Sequence, residues 1–388
     1  MKKICVLTAT RAEYGLLKPM IRGLMTVPEF DVRVVVTGAH LSAEFGLTYR
    51  EIEQDGISID DKIEILLSSD TPASISKSMG LALISFADYL ERLKPDLLLV
   101  LGDRYETLAV CIAAMNERIP IAHLYGGEIT EGAVDDCIRH AITKLSYLHF
   151  TSTQEYCDRI IQMGEQKDRV YCVGALGIEN IKNEQLLTKD ELMKIVRFST
   201  EQPYAMVTFH PVTLEDNSAS LQFQELLHAL SQYKSMNFVF TKANADTNGR
   251  IINQMIDEYV ENSRNAMAFT SMGSVRYLSA LKYSKFVIGN SSSGLLEAPS
   301  FCIPTINIGD RQKGRLRASS VIDCEPMEDA IKMAIERALS HEFVEIARST
   351  RNPYGDGNTS KKVIKHLKSV LKGTIDLKKI FYDCNEKG

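Results

Sequence analysis

Short apolar runs alternate with longer amphipathic stretches along most of the chain. The run Leu97–Leu101 is apolar at every position, which is typical of a parallel strand buried on both faces of its sheet. The side chains of Ile138, Ala141, Ile142 and Leu145 follow the i, i+3, i+4, i+7 spacing of an amphipathic helix. This alternation of strands and helices predicts a doubly wound α/β architecture.

The apolar runs predict strands in both halves of the chain, separated by helical stretches. The predicted strands are Lys3–Leu7, Val32–Val36, Leu97–Leu101, Ile119–Leu124, Leu148–Thr151, Arg169–Val173, Tyr204–Phe209, Asn237–Phe240, Met267–Thr270, Phe286–Gly289 and Thr305–Ile308. The predicted helices are Tyr14–Leu24, Ile75–Lys94, Glu106–Arg118, Asp135–Leu145, Gln154–Met163, Ser220–Gln232, Gly249–Val260, Ser274–Tyr283, Gly294–Pro299, Met327–Ala338 and Ser360–Leu371.

The length of 388 residues and one charged stretch indicate two domains. Residues 179–201 have helical composition but little apolar character, so we place the domain boundary there. We predict a Rossmann-like domain at 1–178 and a second at 179–359, with the C-terminal helix region, about 360–388, packing back on the first. Ligands of open α/β sheets bind beyond the carboxyl ends of the strands, so the two domains are expected to face a central cleft.

Charge and cysteine usage exclude several classes of protein. The net charge of −5 argues against nucleic-acid binding, and no apolar window is long enough to predict a membrane-spanning helix. The eight cysteines are scattered without a C-x-x-C pair. We therefore expect a cytoplasmic protein in a reducing compartment, with no zinc site and no membrane partner.

The segment Gly289–Glu297 joins a predicted strand to a predicted helix through a glycine and three serines. Backbone N–H groups at a helix start lack partners and lie at the positive end of the helix dipole, so Ser291 and Ser292 are candidates to bind a phosphate. The carboxylate of Glu297, one turn further on, suits a ribose diol. The alternative is a serine cap with no ligand.

Other polar residues follow strands of the second predicted domain. His210 ends a strand and precedes a proline, so it could donate to a phosphate or act as an acid; a buried structural histidine is the alternative. Asn244 and Asp246 follow the next strand. Arg311 begins a basic loop with Lys313 and Arg315 that could close on a diphosphate or remain a solvated surface run.

The first predicted domain supplies carboxylates at its strand ends. Asp103 follows a buried strand, where poor solvation suits proton transfer; the favoured alternative is that it caps the next helix. Three more acids, Glu128, Glu131 and Asp135, surround a glycine-rich loop, an arrangement that can divide acid and base roles. The acid bias of helix starts also explains Asp135.

Arg11 and Glu13 lie at the start of the first predicted helix. Arginine can hold a phosphate with two donors. The alternative for this pair is a surface salt bridge within the loop.

These residues form an ordered series of motifs that resembles the hydrolysing UDP-N-acetylglucosamine 2-epimerases of sialic acid biosynthesis. The resemblance runs from residue 3 to about 372. It rests on Thr10-Arg-Ala-Glu-Tyr14, Gly102-Asp-Arg104, Gly126-Gly-Glu128, Asp135-Asp-x-x-Arg-His140, His210-Pro211, Gly289-Asn-Ser-Ser292 and Asp310-Arg-Gln-x-Gly-Arg315.

The resemblance implies a glycosyltransferase-B-like fold of two Rossmann-like domains. It also implies conversion of UDP-N-acetylglucosamine and water into N-acetylmannosamine and UDP. A base removes the C2 proton as UDP leaves in an anti elimination, and the resulting 2-acetamidoglucal is hydrated from the other face. No cofactor is required, stimulation by divalent cations stays open, and a homodimer or homotetramer is expected.

The resemblance also implies roles for residues. It implies diphosphate contacts from Arg11, His210, Ser291, Ser292 and Arg311. It places Glu297 at the ribose, and Asn244 with the Phe269–Ser274 segment, including Ser274, near the nucleoside. It makes Asp103, Glu128 and Asp135 candidates for proton transfer, with Glu131 in reserve, and it implies that Arg104 orients them or the substrate.

Two departures and two rival functions remain. Where this chain has Tyr125, animal members of the family carry Glu and some bacterial members carry His, so Glu128 is our replacement for that carboxylate. The stretch His123-Leu-Tyr-Gly-Gly-Glu-Ile129 differs from that of the non-hydrolysing epimerases, which favours the hydrolysing branch.

The alternative substrate is a UDP-2,4-diacetamido-2,4,6-trideoxy sugar on the route to legionaminic acid. The alternative activity is a glycosyltransferase of the same fold.

Overall fold

The computed structural model describes residues 1–67, 71–129, 134–198, 202–210, 218–242, 249–270 and 272–384. The chain divides into two compact units. The N-terminal unit is Met1–Asn180 with Tyr354–Gly388, and the C-terminal unit is Ile181–Pro353. The sequence-based boundaries lay after residues 178 and 359.

Strands and helices alternate along both units. The strands are β1 (Lys2–Thr8), β2 (Phe30–Thr37), β3 (Ile59–Ile63), β4 (Leu97–Leu101), β5 (Ile121–Leu124), β6 (Leu148–Thr151), β7 (Val170–Cys172), β8 (Tyr204–Thr208), β9 (Asn237–Thr241), β10 (Ala266–Phe269), β11 (Val287–Gly289), β12 (Thr305–Ile308) and β13 (Val321–Cys324).

The helices are α1 (Arg11–Met25), α2 (Tyr49–Gln54), α3 (Pro72–Leu93), α4 (Tyr105–Asn116), α5 (Val134–Leu145), α6 (Gln154–Gln162), α7 (Leu176–Asn183), α8 (Lys189–Val196), α9 (Ser218–Ser231), α10 (Gly249–Asn262), α11 (Gly273–Tyr283), α12 (Ser293–Leu296), α13 (Glu328–Leu339), α14 (His341–Arg348) and α15 (Thr359–Leu371). Within the described residues, no helix has both the length and the apolar character needed to cross a bilayer.

The N-terminal unit is a parallel sheet covered on both faces. Its described strands run in the order β3-β2-β1-β4-β5-β6-β7. Alternate side chains of β1 enter two cores: Ile4 and Val6 pack in a cluster with α1 and α15, whereas Cys5 and Leu7 pack in a cluster with α3 and α4. This double burial explains why β4 is apolar at every position.

The C-terminal unit repeats this architecture. Its described strands form a parallel sheet in the order β10-β9-β8-β11-β12-β13. One face buries Val207, Phe240 and Ile306 against α9, α10 and α13, and on the other face the Tyr204 hydroxyl donates to the Ala280 carbonyl of α11. The predicted fold class, two Rossmann-like α/β domains with parallel sheets, is confirmed.

The strand order reverses once in each sheet. In the N-terminal unit the reversal lies between β1 and β4, and in the C-terminal unit it lies between β8 and β11. Open α/β sheets bind ligands beyond the carboxyl ends of the strands at such reversals, because the flanking loops separate there. The loop after β1 leads into α1 at Arg11, the loop after β4 holds Asp103, and the segments after β8 and β11 hold His210 and Ser291.

The sequence analysis missed two strands, β3 and β13, which lie at sheet edges. Their sequences, Ile-Asp-Asp-Lys-Ile and Val-Ile-Asp-Cys, lack a continuous apolar run because an edge strand exposes side chains to solvent. It also missed the short helices α2, α7 and α14, while α8 falls inside the stretch 179–201 that had helical composition.

Candidate active site

Asn290 connects the ends of three strands in the C-terminal unit. Its buried side chain exchanges two hydrogen bonds with the backbone of His210: Oδ1 accepts from the His210 N–H at 2.7 Å, and Nδ2 donates to the His210 carbonyl at 2.8 Å. The Asn290 carbonyl accepts from Arg311 Nη1 at 3.1 Å and from Gln312 Nε2 at 2.9 Å. The segments that follow β8, β11 and β12 are thereby held together at one edge of the sheet.

Gly289 allows this close approach. Its φ is 138°, and a Cβ atom at this position would lie only 1.9 Å from the Thr208 carbonyl oxygen. The N–H of Asn290 donates to that same carbonyl at 3.1 Å. Because only glycine adopts this conformation without a clash, Gly289 places the residues after β11 beside His210.

The serine turn, residues 291–293, presents backbone donors at the start of α12. Ser292 is the N-cap residue, yet its side chain makes no capping hydrogen bond. Within the described part of the chain, no protein group accepts from the backbone N–H of Ser291 or Ser292. The capping alternative is therefore wrong for Ser292, and two N–H groups remain suited to an anion.

Glu297 is the C-cap of the one-turn helix α12, so it does not lie inside a longer helix as predicted. Its carboxylate accepts from the Ser293 hydroxyl, which in turn accepts from the Tyr277 hydroxyl at 2.6 Å. Burial raises the pKa of Glu297, and the hydrogen bond from Ser293 opposes that rise. Its predicted contact with a ribose stays a prediction.

The predicted basic loop separates into residues with different surroundings. Arg311 reaches back to the Asn290 carbonyl. The Lys313 side chain is 76% exposed, with its nearest carboxylate, that of Asp310, at 4.0 Å. Lys313 is thus a solvated surface residue, whereas Arg311 belongs to the cluster around Asn290.

Asp103 follows β4 in the N-terminal unit, and its carboxylate forms an ion pair with Arg139 of α5. The buried Arg139 side chain also donates from Nη1 to the Glu128 carbonyl at 2.9 Å. The prediction that Asp103 caps α4 is wrong. The N-cap residue of α4 is Arg104, and the Asp103 side chain accepts from Arg139 instead. One arginine therefore joins the end of β4 to the loop after β5.

Glu128 is held by the segment between β6 and α6. Its Oε1 accepts from the Ser152 hydroxyl at 2.9 Å. The preceding Gly127 has a φ of 78°, and a Cβ atom there would lie 2.4 Å from the Tyr156 carbonyl oxygen. Arg159 donates to the Gly127 carbonyl, so α6 fixes the loop that carries Glu128.

Arg104 is fixed by a carboxylate that the sequence analysis did not select. Its Nη2 donates to Glu106 Oε1 at 2.9 Å, and the Glu106 side chain is completely buried. A buried carboxylate requires a paired cation, so this pair holds the Arg104 guanidinium at the end of β4.

Glu13 closes a capping box at the start of α1. Its carboxylate accepts from the N–H groups of Ala9 at 2.8 Å and Thr10 at 3.0 Å, while the Thr10 hydroxyl accepts from the Glu13 N–H. The structure thus commits Glu13 to capping rather than to a ligand. Arg11 is exposed and pairs with Glu51 of α2 at 3.0 Å, a salt bridge to another element rather than within the loop.

The capping carboxylate predicts a pH dependence of stability. Burial raises the pKa of Glu13 to about 7 from its ordinary value of 4.5, although the Ala9 N–H opposes the rise. A carboxyl with a raised folded-state pKa contributes stability that is present below its ordinary pKa and lost as pH rises through the folded value. Relative to Glu13→Gln, the wild type should lose up to about 3 kcal/mol between pH 4.5 and 7, measured by urea unfolding.

Glu191→Gln is the matched control. Glu191 closes a second capping box, with Thr188 at the start of α8, but its side chain is exposed. Hydrogen bonds from Thr188 lower the pKa of Glu191, so its contribution is lost as pH falls instead. A stability difference between wild type and Glu13→Gln that stays constant over this range would contradict the account of Glu13.

The remaining first-domain candidates occupy varied surroundings. Asp135 is exposed in the first turn of α5, while its neighbour Asp136 lies 3.6 Å from Arg139. The Tyr125 hydroxyl accepts from the Gly177 N–H at 3.3 Å, and burial raises its pKa. His123 is buried, with Nε2 2.7 Å from the Gly102 carbonyl, and burial lowers its pKa to about 3.

Some predicted residues lie outside the described residues, namely Glu131, Asn244 and Asp246. Ser274 is exposed in the first turn of α11. Among the residues that the structure describes, no group of three or more His, Cys, Asp or Glu side chains is arranged to hold a metal ion.

Two central residues were missed by sequence reasoning. Asn290 and Arg139 both stood inside quoted motifs but received no role. Their importance comes from contacts with residues 80 and 36 positions away, His210 and Asp103, which no local pattern reveals. The usable signal was their position: Asn290 stands beside the selected Ser291, and Arg139 lies one helical turn beyond the selected Asp135.

Comparison with known proteins identifies close relatives. A GDP/UDP-N,N′-diacetylbacillosamine 2-epimerase (hydrolyzing) from Campylobacter jejuni is 44% identical over 98% of this chain and 99% of its own. The polysialic acid biosynthesis protein P7 from Escherichia coli is 40% identical over 100% and 98%. A UDP-N,N′-diacetylbacillosamine 2-epimerase (hydrolyzing) from Legionella pneumophila is 35% identical over 95% and 96%.

The fold has close counterparts among solved structures. A UDP-GlcNAc 2-epimerase from Neisseria meningitidis, bound to UDP-GlcNAc, superposes with a TM-score of 0.77 over 96% of this chain and 100% of its own, at 21% identity. The sequence profile of the UDP-N-acetylglucosamine 2-epimerase family matches residues 22–368. The chain therefore belongs to the UDP-N-acetylglucosamine 2-epimerase family of enzymes, as its motifs indicated.

Proposed function

We propose that this protein is a hydrolysing 2-epimerase that converts a UDP-linked 2-acetamido sugar and water into UDP and the free sugar inverted at C2. One observation carries the proposal: each unit bears one part of the required chemistry at its own strand-order reversal. The C-terminal unit has donors for a diphosphate, and the N-terminal unit has carboxylates for proton transfer.

The C-terminal unit binds the diphosphate in this proposal. The backbone N–H groups of Ser291 and Ser292 and the guanidinium of Arg311 are the donors that a diphosphate requires. His210 adds a further donor beside them, because Asn290 fixes its backbone. These donors would stabilise the negative charge that develops on UDP as its bond to C1 breaks.

The N-terminal unit carries out the proton transfers. Asp103 and Glu128 are the proposed base and acid, with Asp135 and Glu131 as further candidates and Arg104 as an orienting cation. Arg139 and Ser152 support the pair by hydrogen bonding to Asp103 and Glu128. Two carboxyl groups with different partners can hold different protonation states, as the reaction requires.

The reaction balances without a cofactor. A carboxylate takes the C2 proton, the electrons of the C–H bond form the C1–C2 double bond, and the C1–O bond breaks to release UDP. Water then adds to C1 while a proton returns to C2 from the opposite face, which inverts C2. General acid and base groups and diphosphate donors suffice for both steps.

For the sugar, we propose N,N′-diacetylbacillosamine, the 2,4-diacetamido-2,4,6-trideoxy sugar. Its support is that two relatives, at 44% and 35% identity, are named as epimerases of this sugar. N-Acetylglucosamine is the second candidate, supported by the description of the family and by the relative in polysialic acid biosynthesis. The cytoplasmic location and the dimeric or tetrameric assembly stay predictions.

Turnover of pure substrates tests the proposal. The purified protein should release UDP from UDP-N,N′-diacetylbacillosamine with a kcat/KM at least about ten-fold above that for UDP-N-acetylglucosamine. The GDP-linked form of the same sugar, which the name of one relative includes, tests whether the enzyme prefers uridine to guanosine in the nucleotide. Preference for UDP-N-acetylglucosamine would select the second candidate, and no release from any of the three would refute the activity.

The serine turn predicts a separable effect on nucleotide affinity. Ser291→Ala with Ser292→Ala removes two hydroxyl groups beside the proposed diphosphate and should raise the Kd of UDP about ten-fold, measured by calorimetry. Ser231→Ala with Ser349→Ala is the control, because these hydroxyls donate to nearby helix carbonyls in the same unit. Equal affinities of the two double variants would exclude a contribution of the serine-turn hydroxyls.

A further inference from the structure

Cys157 of α6 and Cys172, the last residue of β7, lie near one another, although they are fifteen positions apart along the chain. Thr151 of β6 is paired in register with Cys172 of β7. The Thr151 hydroxyl also lies 2.9 Å from Cys157 Sγ. Cys157 and Cys172 are thus both neighbours of Thr151, and both cysteines are free in this structure.

The two thiols differ in exposure and in acidity. Cys157 is 3% exposed, whereas Cys172 is exposed to solvent. The neighbouring Cys157 thiol and the charge of Lys362 lower the pKa of Cys172 to about 7, while the neighbouring Cys172 thiol and burial raise the pKa of Cys157. An exposed, acidic thiol next to a buried one is the arrangement of an attacking and a resolving cysteine.

Helix α6 connects this pair to the loop of Glu128. Cys157 stands between Tyr156, whose carbonyl packs against Gly127, and Arg159, which donates to the Gly127 carbonyl. Ser152, which precedes the same helix, donates to the Glu128 carboxylate. A displacement of α6 toward β7 would therefore move the carboxylate that we assign to proton transfer.

We propose that Cys157 and Cys172 form a reversible disulfide on exposure to a peroxide, and that this bond slows the enzyme by displacing the Glu128 loop. The Cys172 thiolate attacks a peroxide oxygen, the O–O bond breaks, and hydroxide leaves. The Cys157 sulfur then attacks the oxidised Cys172 sulfur, the S–S bond forms, and a second hydroxide leaves. The two thiol protons convert both hydroxides to water, so two thiols are oxidised and one peroxide is reduced.

The test uses the full-length reduced protein, hydrogen peroxide and mass spectrometry. After alkylation of the remaining thiols, trypsin should yield a linked pair of peptides, residues 145–159 and 170–182, with two hydrogens fewer than their sum. Cys172 should react about ten-fold faster than Cys137, an exposed cysteine on α5. Turnover should fall by at least about ten-fold and return with dithiothreitol.

Two variants make the outcome decisive. Cys172→Ser should abolish both the linked peptides and the reversible loss of turnover, whereas Cys384→Ser, which removes another exposed cysteine near α6, should retain both. A link through Cys384, oxidation of Cys172 without a link, or a link that leaves turnover unchanged would each overturn the proposal. The effect on turnover rests on the proposed function, but the linked peptides do not, so a protein without epimerase activity would still decide whether the disulfide forms.

Discussion

Replacement of Asp103 by asparagine is expected to lower kcat by about a thousand-fold while the Kd of UDP stays unchanged. Asparagine has nearly the same shape and still offers an oxygen to Arg139, but it cannot take or return a proton at the sugar. The loss should therefore appear in the chemical step and not in nucleotide binding. Steady-state release of UDP and calorimetric titration with UDP measure the two quantities separately.

Asp96 supplies a matched control at the other end of β4. It also forms an ion pair, with Lys2 at 3.1 Å, and it accepts from the Lys3 N–H at 2.8 Å. Asp96→Asn removes a comparable charge from the opposite edge of the sheet and should leave kcat within about two-fold of the wild type. If Asp103→Asn and Asp96→Asn had the same kcat, Asp103 would have no part in the reaction.

Replacement of Asn290 by alanine should weaken UDP binding by about a hundred-fold and destabilise the C-terminal unit. The change removes both hydrogen bonds between the Asn290 side chain and the half-buried His210 backbone, and the loss of each costs about 0.5–1.5 kcal/mol. It also frees the segment whose carbonyl receives Arg311, so the donors for the diphosphate would lose their alignment. Calorimetry with UDP and urea unfolding measure the two effects.

Asn237→Ala and Asn290→Asp distinguish a positioning role of Asn290 from a general loss of stability. Asn237 is a buried asparagine at the amino end of β9, where its side chain donates to Gln202 at 3.2 Å. Asn237→Ala should destabilise the unit without changing the Kd of UDP. Asn290→Asp keeps an acceptor for the His210 N–H but loses the donor to its carbonyl, so its affinity should fall between those of the wild type and Asn290→Ala. A normal Kd for Asn290→Ala would remove Asn290 from the binding site.

The central strands of the two parallel sheets are predicted well from the sequence, because burial on both faces of a sheet favours apolar residues at successive positions. Leu97–Leu101, Leu148–Thr151 and Thr305–Ile308 were predicted with the boundaries observed for β4, β6 and β12. The edge strands β3 and β13 escaped prediction, since one exposed edge permits charged residues such as Asp60 and Asp323.

Candidate residues at the strand ends were predictable, but their partners were not. Residues that follow buried strands must reach the carboxyl edge of the sheet, so Asp103, His210 and Ser291 could be selected from local sequence alone. The ion pair of Asp103 with Arg139 depends on how α5 packs against α4 and β5, which no local pattern specifies. Glu13 shows the opposite case, because its capping box could be recognised from Thr10 and Glu13 alone.

The chemistry at C2 is the most direct test of the account. Turnover of UDP-N,N′-diacetylbacillosamine in deuterium oxide, followed by proton NMR and mass spectrometry of the released sugar, should show deuterium at C2 in every product molecule together with inversion of that centre. Free product incubated without enzyme controls for spontaneous exchange. A released sugar that keeps its original hydrogen and configuration at C2 would mean simple hydrolysis of the UDP-sugar and would contradict an elimination and hydration by this enzyme.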